Sequence, residues 1–202
     1  MAVEKRAAYR DWDYWGKPVP SCGDPAARVL MVGLAPGAHG SNRTGRMFTG
    51  DGSGDFLTPA LYRAGFANQP TSTRRDDGLQ LSDIYIAAVA HCAPPDNKPL
   101  PQEIANCRPY LVQHLRLLPR VQVILALGKI GFDGVLGALA QMGVALAAPR
   151  PKFGHGAEYV VGPYTLVATY HPSRQNTQTG RLTAAMFDLV FRQVRGHLKI
   201  AT

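Results

Sequence analysis

The feature that most constrains this chain is a set of four short runs of branched apolar residues, at 28–34, 84–90, 121–127 and 164–170. Each run is apolar at consecutive rather than alternate positions, so a strand built from it must be covered on both faces. Parallel strands buried between helices have this pattern. The intervals are long enough for crossover helices, and helices are expected at 54–64, 101–118, 129–141 and 181–198. In the last of these, Leu182, Met186, Leu189, Val190 and Val194 recur at helical spacing. The expectation is an α/β fold with three layers, α/β/α, around a central four-stranded parallel sheet. Residues 67–78 and 147–156 carry turn formers without periodicity and read as loops.

A chain of 202 residues with 46% hydrophobic content is about one domain's worth. A single domain over 1–202 is expected, with 1–24 as an aromatic and basic N-terminal segment. No apolar run approaches the ~20 residues of a bilayer-spanning helix, and Met1 is not followed by a basic-then-apolar leader. These features predict a cytoplasmic protein without a membrane partner. Lys and Arg number 22 against 14 Asp and Glu, a net charge of +8, which favours a polyanion such as nucleic acid while also fitting plain solubility. Three cysteines are too few and too odd for a disulfide framework, which fits a reducing compartment.

Ligands of open parallel sheets bind beyond the carboxyl ends of the strands, and three segments there are chemically unusual. They are GLAPGAHGSNRTGRMFTGD at 33–51, HCAPPDNKP at 91–99 and HPSRQNTQTGR at 171–181. The first matches neither a dinucleotide fingerprint nor a P-loop, since no GK[ST] follows its glycines. It offers close backbone approach at Gly33 and Gly37, a ring in Phe48, a carboxylate in Asp51 and cations in Arg43 and Arg46. A tight strand-to-helix turn would use the same glycines for geometry alone. In the second, Cys92 and Cys107 have fourteen residues between them, and two thiols do not close a four-ligand metal site, so buried free cysteines fit as well. Asn97 could orient a water or a base edge, or simply serve the turn. In the third, His171 directly follows an apolar strand, with Pro172 forcing an extended exit. A histidine there suits electrostatic or acid–base work, and its place opposite the Gly-rich loop favours that over a structural role.

These three stretches resemble the signature regions of family 5 (type-5) uracil-DNA glycosylases, and the likeness runs from Tyr9 through the final helix, including YRDWDYWGKP at 9–18. The resemblance implies a monofunctional DNA glycosylase that hydrolyses the N-glycosidic bond of flipped-out uracil and so initiates base excision repair. It implies Asp51, His171 and Asn97 as catalytic positions, Phe48 as the ring that stacks on the base, and Gly33, Leu34, Ala35, Pro36, Gly37 and Ala38 as the pocket floor. Asn42, Arg43, Arg46, Ser173, Arg174, Gln175 and Asn176 are the expected DNA contacts. The implied partner is double-stranded, and also single-stranded, DNA containing deaminated bases, bound by a monomer. Ala35 stands where the best-known uracil glycosylases carry a water-activating Asp, and Ala88 where related enzymes carry a uracil-reading Asn, so activity on hypoxanthine and similar bases is expected too. Family members also carry an N-terminal Cys-x-x-Cys that, with the counterparts of Cys92 and Cys107, holds a 4Fe–4S cluster. Cys22 matches neither missing ligand. The expectation is a start codon upstream of Met1, with loss of the cluster as the other option, and no catalytic metal. A DNA-binding relative with little or no catalysis is the alternative reading.

Overall fold

The computed structural model describes residues 5–198. In chain order the elements are β1 (Cys22–Gly23), β2 (Val29–Gly33), α1 (Ser41–Thr44), α2 (Gly52–Arg63), β3 (Ile84–Ala88), α3 (Pro101–Leu117), β4 (Val123–Leu127), α4 (Gly128–Gln141), β5 (Glu158–Val161), β6 (Tyr164–Thr169), α5 (Arg174–Gln178) and α6 (Ala184–Gly196). The strands form one sheet in the order β1-β3-β2-β4-β6-β5. Its centre, β3-β2-β4-β6, is parallel throughout, in register Met31 with Ile86 and Leu125, and Leu125 with Val167.

All four expected strands are present, but the sheet has six strands rather than four, because an antiparallel strand borders each edge. Neither edge has the buried pattern that marks the centre. β1 is two residues long, and β5 runs exposed, half-buried, exposed, buried before the turn at Gly162, whose φ is +58°. Edge strands need only one covered face, so their sequences carry a weaker apolar signal.

Every residue of β2 and β4 is buried, as the consecutive apolar runs require. Val29, Met31, Ile84, Ile86 and Leu125 pack under α2 and α6 with Leu57, Leu61, Phe187 and Phe191. Leu30, Val32, Ala87, Ile124 and Ala126 face α3 and α4 with Leu115, Phe132 and Leu136. Burying a side chain of this size stabilises by roughly 1.5–3 kcal/mol before entropy is counted, so the two half-cores fix where the strands end. The final helix starts at Ala184 rather than 181, because the Thr183 side chain accepts the Met186 N–H and caps it. Among the described residues no helix is long and apolar enough to cross a membrane.

Candidate active site

The glycine-rich loop leaves the carboxyl end of β2 and closes at the start of α2. Its floor is set by packing. A Cβ added to Gly33 would lie 2.7 Å from Cζ of Phe48, so only glycine lets that ring lie against the strand end. Phe48 itself has a φ of +50°, uncommon for a bulky residue, which marks a backbone shaped by its surroundings. Its ring is 5.9 Å from the His171 ring at an interplanar angle of 32°, so the loops after β2 and β6 share one wall. The N–H groups of Ala35, Gly37 and Ala38 make no hydrogen bond among the described residues, and the Gly33 and Leu34 carbonyls accept from Val89 and Ala90.

Asp51 caps α2, its Oδ1 accepting the N–H groups of Ser53 and Gly54 at 3.0 and 3.1 Å. Its other oxygen lies against the loop: a Cβ on Gly37 would come within 2.8 Å of Oδ2, and one on Gly40 would overlap it. Burial raises the carboxyl pKa, and the two amides and the Arg174 cation pull the other way. One oxygen is therefore tied to the helix while the other faces the glycines.

His171 sits one residue past Tyr170, at the exit of β6. Burial pushes its pKa down to about 4, so the imidazole is uncharged at neutral pH. The following turn is built to hold it. Asn176 Nδ2 donates to the His171 carbonyl at 2.8 Å, and the Ser173 side chain accepts the Asn176 N–H to cap α5. Arg174 and Gln175 between them are exposed, with the Arg174 stem lying over Gly52 at the α2 start. Ser173 and Asn176 thus position, and Arg174 and Gln175 are free to touch a ligand.

Three of the expected DNA contacts are instead internal. Arg43 is 4% exposed, with Nε donating to the His39 carbonyl at 2.7 Å and Nη2 to the Gly50 carbonyl at 2.8 Å. Its guanidinium sits in the corner formed by the Tyr9 and Trp12 rings, which stand at 84° to each other, with Cζ 4.0 and 3.9 Å from their centroids. Asn42 is buried beneath the same loop and donates to the Ala38 carbonyl. Arg46 donates to both Asp77 oxygens at 2.8 Å and to Ser72 and Thr49. The sequence pattern could not distinguish these roles, because a clamp made of Tyr9, Trp12 and Asp77 exists only once the chain has folded. The aspartate-glycine pair at 77–78 was the available signal for a turn there. Asp77 accepts the N–H groups of Thr73, Arg74 and Leu79; burial alone would raise its pKa, but Arg46 and these amides hold it at about 2.

Asn97 lies on the exposed loop after β3 with a φ of +55° and makes no side-chain hydrogen bond among the described residues, so nothing ties it to Asp51 or His171. Cys92 is exposed on the same loop, and Cys107 is half-buried on α3. Burial raises the Cys92 pKa, as do Cys107 and Glu103. No group of three or more His, Cys, Asp or Glu able to hold a metal occurs among the described residues. Two thiols are half of what a 4Fe–4S cluster takes, and the residues present do not by themselves fit that group. A separate cavity of about 470 Å³, lined by Cys22, Arg46, Leu61, Leu81 and Ile86, meets this site only at Phe48.

Residues 20–195 match the model of the uracil DNA glycosylase superfamily. The type-5 uracil-DNA glycosylase of Thermus thermophilus is 51% identical over 186 residues, covering 92% of this chain and 82% of that protein. The chain belongs to the type-5 uracil-DNA glycosylases. Type-5 relatives from Mycobacterium bovis and Pyrobaculum aerophilum are 47% and 44% identical, covering 96% and 95% of this chain and 72% and 81% of their own lengths. A Methanosarcina acetivorans chain of this superfamily, solved by NMR, superposes with a TM-score of 0.54 over 89% of this chain and 98% of its own, at 15% identity, a likeness of fold alone. The sheet with helices packed on it is therefore an architecture shared with that chain.

Proposed function

We propose that this chain is a uracil-DNA glycosylase, which hydrolyses the N-glycosidic bond of uracil rotated out of DNA and leaves an abasic site for base excision repair. The observation that carries the proposal is the uncharged His171 packed beside Phe48, above a glycine-rich floor closed by the Asp51 carboxylate. Breaking the bond between the base and the sugar puts negative charge on the base and positive character on the sugar. Phe48 stacks on the flipped base, whose extrusion costs a few kcal/mol and is cheapest at a mispair. His171 donates an N–H toward a carbonyl oxygen of the departing base, a contribution of ~3–4 kcal/mol for one well-aimed donor. Because the ring is uncharged, it can do so as a fixed dipole without first binding a proton.

Asp51 stabilises the sugar cation or orients the attacking water through the oxygen that does not cap α2. Gly33 to Ala38 line the floor, with the unbonded amides of Ala35, Gly37 and Ala38 as donors to the base. Arg174 and Gln175 enter the gap left by the flipped nucleotide, and Asn97 reaches base or water from its exposed loop. Ala35 and Ala88 offer no side-chain hydrogen bond to uracil, and Ala88 lies beside Gly33 in the sheet. The pocket is therefore broadened to other deaminated bases, hypoxanthine among them. A 4Fe–4S cluster on Cys92 and Cys107 requires two further thiolates, and every step above is assigned to side chains, backbone amides and water. The remaining expectations, a cytoplasmic monomer with one domain acting on double- and single-stranded DNA, belong to the same reading.

The test is a panel of labelled duplexes carrying one uracil, one hypoxanthine or none, scored for alkali-labile cleavage. Release from the first two supports a broadened glycosylase, and release from uracil alone removes the breadth. DNA binding without release of any base would support the non-catalytic reading.

A further inference from the structure

We propose that residues 5–17 and 71–77 together form a second DNA-contacting surface, which grips the phosphate backbone of the strand flanking the flipped nucleotide. The partner follows from the glycosylase reading; the surface follows from the geometry of two exposed arginines. Cζ of Arg74 lies 4.9 Å from the Trp12 ring centroid, and Cζ of Arg75 lies 4.6 Å from that of Trp15. A guanidinium held over an indole by cation–π attraction spends none of its N–H donors on that contact, so they remain able to meet a phosphate. Arg43 is held by the same kind of contact, but its Nε and Nη2 donors are spent inside the protein.

The competing carboxylates are weak or committed. Arg74 meets Asp76 only at 3.6 Å, with the two side chains 63% and 82% exposed, a pair that water and salt screen readily. Asp77 is bound by Arg46 and three amides. Lys17 adds a further cation over Trp15, and Lys5, Arg6 and Arg10 lie exposed on the same segment. Asp11 and Asp13 are the acids there, so the surface keeps an excess of positive charge.

Both segments are bolted to the catalytic loop. The Trp15 and Gly16 N–H groups donate to the Arg43 and Asn42 carbonyls, and the Gly50 N–H donates to the Ser72 carbonyl, one residue before Asp51. Thr49 and Ser72 share a hydroxyl hydrogen bond of 2.7 Å. The surface is thereby fixed to the same loop that carries Phe48 and Asp51.

The experiment measures binding of uracil-free duplex DNA to the full chain across a salt series. The variants are Arg74→Ala with Arg75→Ala, and, as an equal loss of charge at the other end of the sheet, Arg116→Ala with Arg120→Ala. Each phosphate contact contributes ~0.9 to the slope of log K against log salt, so losing two lowers the slope by about 2 and weakens binding by about 60-fold near 0.1 M salt. The distal pair leaves the slope unchanged, and the turnover of a uracil duplex at saturation stays within about twofold in the Arg74/Arg75 variant while KM rises. Equal losses in the two variants, or an unchanged slope in the Arg74/Arg75 variant, would overturn the proposal. A chain that releases no base yet shows the difference in slope would keep this surface and refute the glycosylase reading instead.

Discussion

His171 shows how a single residue couples stability to the site. Burial holds its folded pKa at about 4, below its ordinary value of 6.5. As pH falls through 6.5 the unfolded chain takes up a proton that the folded chain refuses until about pH 4, so this residue's stability is complete above 6.5 and is lost between 6.5 and 4. Melting temperature should therefore drop over that window, and His171→Gln should flatten the drop; an equal drop in both would place the titrating group elsewhere. Gly33→Ala carries a second expectation. The new methyl meets the Phe48 ring, and forcing that ring aside costs ~1–3 kcal/mol, read as a base-release rate at least tenfold lower in single-turnover assays. That the loops bearing Phe48 and His171 come together was legible in the sequence, because each follows a buried parallel strand and such loops share one rim of the sheet. Arg43, Asn42 and Arg46 were not, since an arginine in a loop looks the same whether its partners are phosphates or the protein's own carbonyls.

Among the elements, α2 is capped by Asp51, the residue proposed as the site carboxylate. Asparagine caps a helix about as well as aspartate, so Asp51→Asn should shift unfolding free energy by less than ~1 kcal/mol while base release falls by 10-fold or more. Chemical denaturation and kinetics on the same preparation separate the two roles, and parallel losses of both would reduce Asp51 to a cap. The four central strands were readable because each must be apolar on both faces. The two edges were not, since Val160 is 80% exposed and β5 shares its pattern with any surface strand. The short helices α1 and α5 lie in segments chosen for their chemistry, where glycine and polar residues mask helical periodicity.

Across the whole molecule, the three loops arise from separate strands and meet at the carboxyl rim of the sheet: the Ala90 N–H after β3 donates to the Leu34 carbonyl after β2, and Phe48 stands beside His171 after β6. Cys92 follows β3 and Cys107 lies in α3, and among the described residues no hydrogen bond joins either thiol to Asp51 or His171. Cys107→Ser should accordingly leave the base-release rate of this chain within about twofold, and a collapse of activity in a folded variant would tie the thiol pair to catalysis. The net charge of +8 indicated a polyanionic partner but not where it lies, because charge summed over a sequence has no address. The most direct measurement is single-turnover release of uracil from a labelled duplex by the wild-type chain and by His171→Ala. The account predicts release by the wild type and a rate lower by 10²–10³-fold in the variant. No release by the wild type, or equal rates in the two proteins, would contradict it.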